Sequence, residues 1–214
     1  MRQINSQLTR DKIVSELRRE ILFGSLKPNE ELYQDKIAEE LNVSRTPVRE
    51  ALQVLANEGL VSVRPNKIAT VNEISDKFLD DFFEIRLLLE KECMRRICER
   101  GLDTAPLWKY CEEADKAIEY DDFNMYNEYN WRIHQYIWHG ADNIKLEQLL
   151  SQLWHTMNID SYARETALHS NAEHKQIIES LDKRDVEASY EAMTIHINRS
   201  YYSIKEHLYR NRQQ

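Results

Sequence analysis

The chain has 214 residues and a formal net charge of −8, with 29 Lys and Arg against 37 Asp and Glu. Its length suits two small domains, and the absence of an apolar run long enough to span a bilayer excludes a membrane-spanning helix. Only four glycines and four prolines favour a mainly helical protein. Three cysteines at spacings that match no zinc pattern, and no signal-peptide core, predict a cytoplasmic protein with reduced thiols.

The charge is divided unevenly along the chain. Residues 1–71 carry a net charge of +1, and residues 72–214 carry −9. A local group of basic side chains matters more for contact with phosphates than the total charge does. The acidic total therefore does not exclude nucleic-acid binding by the first third of the chain.

A first helix is predicted over residues 8–23, with Thr9 as its cap and Gly24 at its end. A turn at residues 27–29 follows. Residues 37–41 form a short amphipathic segment, and Asn42 suits the tight turn between the two helices of a helix-turn-helix.

Residues 43–52, with the sequence VSRTPVREAL, predict the second helix of that motif. Ser44 is a suitable N-cap, and Pro47 falls in the first turn, where its missing N–H costs nothing. Val48, Ala51, Leu52 and Leu55 form one apolar face. The other side presents two arginines and two hydroxyls near the helix start: Ser44, Arg45, Thr46 and Arg49. Such an end suits a DNA major groove, although an ordinary amphipathic helix with solvated arginines carries the same pattern.

A β-hairpin is predicted after this helix. Gly59 suits a left-handed helix end, and residues 60–64 and 68–71 are rich in β-forming side chains. The loop between them contains Asn66 and Lys67, in the position of a DNA-contacting wing.

VSRTPVREAL, followed by an EGLV segment and a wing, resembles the GntR family of bacterial transcription regulators. The resemblance implies a winged helix-turn-helix of three helices plus a β-hairpin wing over residues 1–71. The expected DNA contacts are Ser44, Arg45, Thr46, Arg49, Asn66 and Lys67. The family often has a basic residue in the second helix and a glycine in the wing, where this chain has Asp35-Lys36 and Asn66-Lys67. Individual phosphate contacts therefore stay open.

After a linker at residues 72–75, six amphipathic helices are predicted within residues 76–214, joined by short loops as in an antiparallel six-helix bundle. The first is expected to run to about residue 100 after a cap at Ser75, and the second to about residue 120 after a cap at Thr104. The other expected ranges are about 122–139, 142–163, 171–181 and 185–209. The predicted fold class is mainly α, with the winged helix-turn-helix followed by this bundle.

Three of the bundle helices each place an imidazole on an apolar stripe: His134, His174 and His196. One such histidine alone is most simply a core residue bonded to a neighbour. Three together favour the ligands of one divalent metal, because each buried polar group needs a partner.

Residues 76–210 resemble the FCD effector domain of FadR-type GntR regulators. The resemblance implies a metal such as zinc or nickel, held at Asn130, His134, His174 and His196. It also implies effector-binding roles for Arg86 and Asn143, although Arg86 could instead pair with Glu90. Asn130 stands where the family has an aspartate, so all four ligands are neutral. Either the metal binds weakly, or an anionic effector supplies the missing charge.

We therefore expect a repressor or activator, not an enzyme. It would bind near-palindromic operator DNA as a homodimer, and a small organic acid would control its affinity. One alternative is the same DNA-binding head with a metal-free bundle that senses an acyl or amphiphilic ligand. A metal-dependent enzyme is disfavoured, because residues 130–134 supply no carboxylate beside His134 of the kind that a metalloprotease helix carries.

Overall fold

The structure is a computed structural model that describes residues 4–64, 68–157 and 163–212. The chain divides into two compact units. The first comprises Met1–Leu79 with Lys205–Gln214, and the second comprises Asp80–Ile204. Within the described residues, no helix is long and apolar enough to cross a membrane.

Among the described residues, the first unit begins with three helices and a small sheet. Their bounds are α1 Ile4–Leu22, β1 Glu31–Tyr33, α2 Gln34–Glu40, α3 Arg45–Asn57, β2 Val61–Val63 and β3 Ile68–Val71. The predicted three helices and hairpin are confirmed, and residues 61–63 and 68–71 are the two strands of that hairpin. Helix α1 begins before Thr9, so the prediction that Thr9 caps it was wrong.

Strand β1 was not predicted from the sequence. It pairs antiparallel with β3, with Leu32 opposite Ala69, and gives the sheet order β1-β3-β2. Glu31, Leu32 and Tyr33 are too few to carry a readable alternation, and only Leu32 is buried. The strand forms because the free edge of β3 offers backbone groups that need partners.

Helix α3 is held against α1 by its apolar face and by an ion pair at its end. Val48, Ala51, Leu52 and Leu55 are all buried, as their spacing predicts. The Arg18 guanidinium of α1 binds the carboxylate of Glu58 at the end of α3, with an Nη2–Oε1 distance of 2.6 Å. The opposite face of α3 is thereby left exposed.

The turns around α3 use left-handed backbone. Asn42, between α2 and α3, has φ 50°, and Gly59, after α3, has φ 78°. Both were predicted as turn residues, because asparagine and glycine adopt this conformation at the least cost. Ser44 occupies the N-cap position of α3, but its hydroxyl accepts no capping hydrogen bond.

Over residues 76–157 and 163–212, six further helices follow in chain order. Their bounds are α4 Asp76–Arg100, α5 Ala105–Glu119, α6 Phe123–Gly140, α7 Ile144–Met157, α8 Arg164–Asp182 and α9 Val186–Arg212. The predicted helices are confirmed, but two boundaries were wrong. Ala163 is extended, at φ −110° and ψ 120°, and stands at the N-cap of α8 instead of inside α7. Helix α8 begins seven residues earlier than predicted and so buries Ala167 and Ser170.

All three cysteines are free and buried, as expected of reduced core residues. Burial raises the pKa of the Cys111 thiol to about 12 and raises that of Cys93 as well. These thiols act as small apolar side chains in the bundle.

Candidate nucleic-acid interface and histidine cluster

The start of α3 exposes the residues that the sequence predicts for DNA contact. Ser44, Arg45, Thr46 and Arg49 are all exposed, and 73% of the Arg45 side chain is accessible. Two guanidinium groups one turn apart can reach base edges or phosphates without disturbing the apolar face behind them.

A groove of about 310 Å³ runs beside these side chains; it is lined by Tyr33, Gln34, Asp35, Arg45, Thr46, Arg49 and Ile68. On its wall, Oδ1 of Asp35 lies 2.6 Å from Nε of Arg45. Sequence reasoning noted Asp35 as a departure from the family pattern but did not predict this pair. The expected wing contacts Asn66 and Lys67 lie outside the described residues.

The three histidines predicted as ligands meet in the bundle. The Nε2 atom of His134, on α6, lies 3.1 Å from Nε2 of His196, on α9, and 3.3 Å from Nε2 of His174, on α8. One ligand atom from each of the three lies within 4.8 Å of the others. Three different helices thus bring ring nitrogens to one point, as their positions on apolar stripes suggested.

Burial keeps this cluster neutral. His134 has no exposed surface, and His174 and His196 are almost as deeply buried. Burial lowers the pKa of each imidazole well below its usual value, and the positive charge of Arg199 lowers all three further. Repulsion by neighbouring rings adds to the lowering of the pKa at His134 and His174. A neutral imidazole has one nitrogen with a free lone pair, which is the form that binds metal ions.

Asn130 lies one helical turn before His134 on α6. Its amide oxygen Oδ1 is buried and has no hydrogen-bond partner among the described residues. A buried amide oxygen without a partner costs about 1–3 kcal/mol. The residues therefore fit a cation-binding role, since a metal ion would satisfy both the imidazole lone pairs and this oxygen.

Arg86 and Glu90 form a buried pair on α4. Nε of Arg86 lies 3.6 Å from Oε1 of Glu90, which is an ion pair but too long for a hydrogen bond. Neither of these atoms has a hydrogen-bond partner in the part of the chain that the structure describes, whereas Oε2 of Glu90 accepts from Nε1 of Trp138 at 2.8 Å. Burial lowers the pKa of Arg86 and raises that of Glu90.

Arg86 and His134 both lie beside the ring of Trp154. Its guanidinium carbon lies 5.2 Å from the ring centroid of Trp154, and the His134 ring lies 4.5 Å from that same tryptophan. Pairing with Glu90, the alternative expected from the sequence, is present. It leaves one guanidinium N–H of Arg86 unbonded beside the cluster.

Asn143 has a local structural role. Its amide oxygen accepts hydrogen bonds from the backbone N–H groups of Lys145 and Leu146, both at 3.2 Å, at the start of α7. This N-terminal cap engages the oxygen that an effector would otherwise contact. An effector-binding role for Asn143 remains a prediction.

Two functional candidates were missed in the sequence. Oε2 of Glu173, on α8, lies 2.8 Å from Nδ1 of His196, and Nε of Arg199 lies 2.7 Å from the same oxygen. Glu173 directly precedes His174, and Arg199 follows His196 by three residues. Both spacings can be read from the sequence. The contact, however, joins α8 to α9, and spacing within one helix does not show which other helix packs against it.

Both the N-terminal and the C-terminal part of the chain resemble known proteins. Residues 9–71 match the bacterial regulatory proteins of the gntR family, and residues 81–199, more than half of the chain, match the FCD domain. The chain belongs to the GntR family, with an FCD domain at its C-terminal side. Its relatives are regulators of transcription and not enzymes.

Two curated relatives and one solved structure illustrate the likeness. The repressor RspR of Escherichia coli strain K12 is 28% identical over 213 residues, which are 95% of this chain and 92% of RspR. The regulator McbR of the same strain is 31% identical over 145 residues, 67% of this chain and 66% of McbR. The structure of E. coli McbR/YncC shares the fold, with a TM-score of 0.70 and 23% identity over 92% of this chain and 97% of that one.

Proposed function

We propose that this GntR-family regulator binds operator DNA in the cytoplasm as a homodimer, and that a small carboxylate controls its affinity with the help of a divalent metal. The domain boundaries proposed with it are residues 1–71 for the DNA-binding domain, 72–75 for the linker, and 76–214 for the effector-binding and dimerisation domain. The observation that carries the regulatory part is the meeting of three buried, neutral imidazoles beside a buried amide oxygen without a partner.

The proposed DNA contacts are Ser44, Arg45, Thr46 and Arg49 at the start of α3, with Asn66 and Lys67 in the wing. Support comes from the exposure of the α3 residues and from the groove beside them. Two-fold symmetry of a homodimer would present two such helices, which implies a near-palindromic operator.

Arg45→Ala and Arg49→Ala test the DNA-binding surface. Because a good arginine contact to a base is worth about 1–3 kcal/mol, each variant should weaken operator binding by roughly 5- to 150-fold. The operator is first obtained by selecting duplexes from a random pool with the unaltered protein, and affinity is measured by fluorescence anisotropy.

Arg19→Ala is the matched control, since it removes one exposed arginine from α1 of the same unit. It should leave operator affinity nearly unchanged. Equal losses in all three variants would mean that general charge, and not the start of α3, drives binding. Unchanged affinity in both α3 variants would disprove this interface.

The metal proposal rests on the donor set. His134, His174 and His196 would hold zinc or nickel through ring nitrogens, and Asn130 would contribute its amide oxygen. All four donors are neutral, so a divalent ion there would keep its full charge. When bound, the ion supplies a positive centre that an anionic ligand can join.

Arg86 makes a carboxylate the favoured class of effector. Its buried guanidinium keeps an unbonded N–H and shares the Trp154 ring with His134. A carboxylate in contact with both the metal and Arg86 would neutralise two positive charges at once. Metal and effector should therefore bind more tightly together than either does alone.

Dialysis followed by metal analysis, with and without acetate as a weakly chelating probe acid, tests metal and carboxylate binding together. We expect zinc or nickel to be retained better with acetate, and the unfolding temperature to rise more with both than the two separate rises predict. No metal under either condition would overturn the metal proposal. Effector response that survives alanine at all three histidines would favour a metal-free bundle that binds an acyl chain or amphiphile.

A further inference from the structure

Glu173 bridges the histidine cluster and a guanidinium group. Its side chain is 13% exposed and lies on α8 directly before His174. Oε2 is 2.8 Å from Nδ1 of His196, and Nε of Arg199 lies 2.8 Å from Oε1 and 2.7 Å from Oε2. One carboxylate therefore accepts from both an imidazole and a guanidinium of α9.

This contact decides which nitrogen of His196 carries the proton. A carboxylate that pairs with a guanidinium only accepts hydrogen bonds, so Nδ1 of a neutral His196 must be the N–H that donates to it. Nε2 is then left with its lone pair. Nε2 is also the atom that lies 3.1 Å from Nε2 of His134, so the lone pair lies on the side of the cluster.

We infer that Glu173 is a positioning residue that holds His196 with its proton on Nδ1 and its Nε2 lone pair directed at the other two histidines, and that it supplies the anionic charge that Asn130 lacks. The charge-supplying role of Glu173 rests on the metal proposed above. The orientation of His196 concerns the metal-free protein and does not depend on that metal.

The other two rings show that this anchoring is particular to His196. Nδ1 of His134 and Nδ1 of His174 are buried and have no hydrogen-bond partner among the described residues. The nearest carboxylate to His134 is that of Glu90, whose Oε1 lies 3.9 Å from Nδ1, beyond hydrogen-bond reach. Of the three rings, only His196 has its orientation fixed by a charged acceptor before any metal arrives.

Arg199 carries the charge opposite to that of Glu173, so losing one or the other should affect metal binding differently. Its positive charge lowers the pKa of all three histidines and so opposes any additional cation at the cluster. If Glu173 acts on His196, losing Glu173 should weaken metal binding, and losing Arg199 should not. A purely structural ion pair predicts the same loss from both changes.

The experiment compares Glu173→Gln and Arg199→Gln with Glu179→Gln, a matched exposed position on α8. The first measurement uses metal-free protein with ¹⁵N-labelled histidine at about pH 7.5, where these imidazoles are neutral. Long-range ¹H–¹⁵N correlation spectra should place the His196 proton on Nδ1 in the unaltered protein and in Glu179→Gln. In Glu173→Gln, part of the population should move to Nε2.

The second measurement is zinc affinity, by competition with a chromogenic chelator. Glu173→Gln should weaken binding by roughly 10–100-fold, as loss of a carboxylate behind a ligating histidine does. Arg199→Gln should bind at least as tightly as the unaltered protein, and Glu179→Gln should match it. Circular dichroism confirms that each variant is folded.

Three results would overturn the inference. They are a His196 proton on Nε2 in the unaltered protein, undiminished zinc affinity in folded Glu173→Gln, and equal losses in Glu173→Gln and Arg199→Gln. Failure of the unaltered protein to bind zinc would overturn the proposed metal function together with the charge-supplying role of Glu173. The spectrum would still decide the orientation of His196 separately.

Discussion

Asn130 differs from an aspartate by a single charge, at a half-buried position whose amide oxygen Oδ1 is itself buried. Asn130→Asp should tighten zinc binding by roughly 10-fold or more, because an anionic oxygen attracts the ion where a neutral amide only coordinates it. The same change should destabilise the metal-free protein, since a buried carboxylate would lack a partner. Chelator competition measures the first effect, and thermal unfolding without metal measures the second.

Asn124→Asp is the control for Asn130→Asp. Asn124 is exposed near the start of the same helix, so the substitution adds equal charge away from the cluster. It should change neither zinc affinity nor the stability of the metal-free protein by much. Tightening in both variants would mean that the general charge of α6, and not the oxygen at position 130, governs metal binding.

At the scale of single residues, sequence predicts those side chains whose environment follows from helical spacing. His134, His174 and His196 lie on apolar stripes, and each proved buried. Glu173 and Arg199 could not be identified in this way, because their roles depend on how α8 packs against α9. Spacing within one helix carries no information on which neighbour faces it.

The end of helix α3 depends on the backbone of Gly59. Its φ is 78°, and a Cβ there would come 3.1 Å from Cε2 of the Phe78 ring. Gly59→Ala should therefore lower the free energy of unfolding by roughly 1–2 kcal/mol, through left-handed strain and crowding of that ring. Urea unfolding measures the change.

Asn57→Ala provides the comparison for Gly59→Ala, because Asn57 is exposed in the last turn of α3 and is helical. Its effect should stay within about 0.5 kcal/mol, as for ordinary surface substitutions. If Gly59→Ala were equally mild, the left-handed backbone at position 59 would not limit stability.

At the scale of elements, the existence of each helix was predictable, whereas some ends and one strand were not. The end of α7 and the start of α8 were misjudged, since Ala163 carries no breaking signal and yet is extended. Strand β1 exists because of its partner β3, a cause that lies outside its own three residues. Tertiary contacts, and not the intrinsic preferences of the residues, determine such helix ends and short strands.

For the whole molecule, the buried histidines predict a dependence of stability on pH. Burial holds the pKa of all three below the usual value of 6.5 in the folded, metal-free protein. Below about pH 6.5 the unfolded chain therefore binds more protons than the folded one, so stability falls as the pH falls. The loss can reach about 1.4 kcal/mol per pH unit for each histidine. The charged groups around the cluster are Arg86, Glu90, Glu173 and Arg199.

Urea unfolding between about pH 7 and pH 5 measures this slope. His134→Gln should lessen it, and His139→Gln, at a largely exposed position, should not. Saturating zinc should raise stability at neutral pH and lose its effect as the medium becomes acidic, because protons compete for the same nitrogens. A flat profile in the metal-free protein would contradict the neutral cluster.

The ion pair between Asp35 and Arg45 has a consequence for the DNA-binding mode proposed above. If Arg45 contacts base edges, the carboxylate beside it would repel the sugar–phosphate backbone, so DNA of random sequence would gain little from this end of α3. A correct base contact would have to replace the pairing with Asp35, and only a matching sequence would offer that replacement. The pair would then favour discrimination between sequences over tight binding to any DNA.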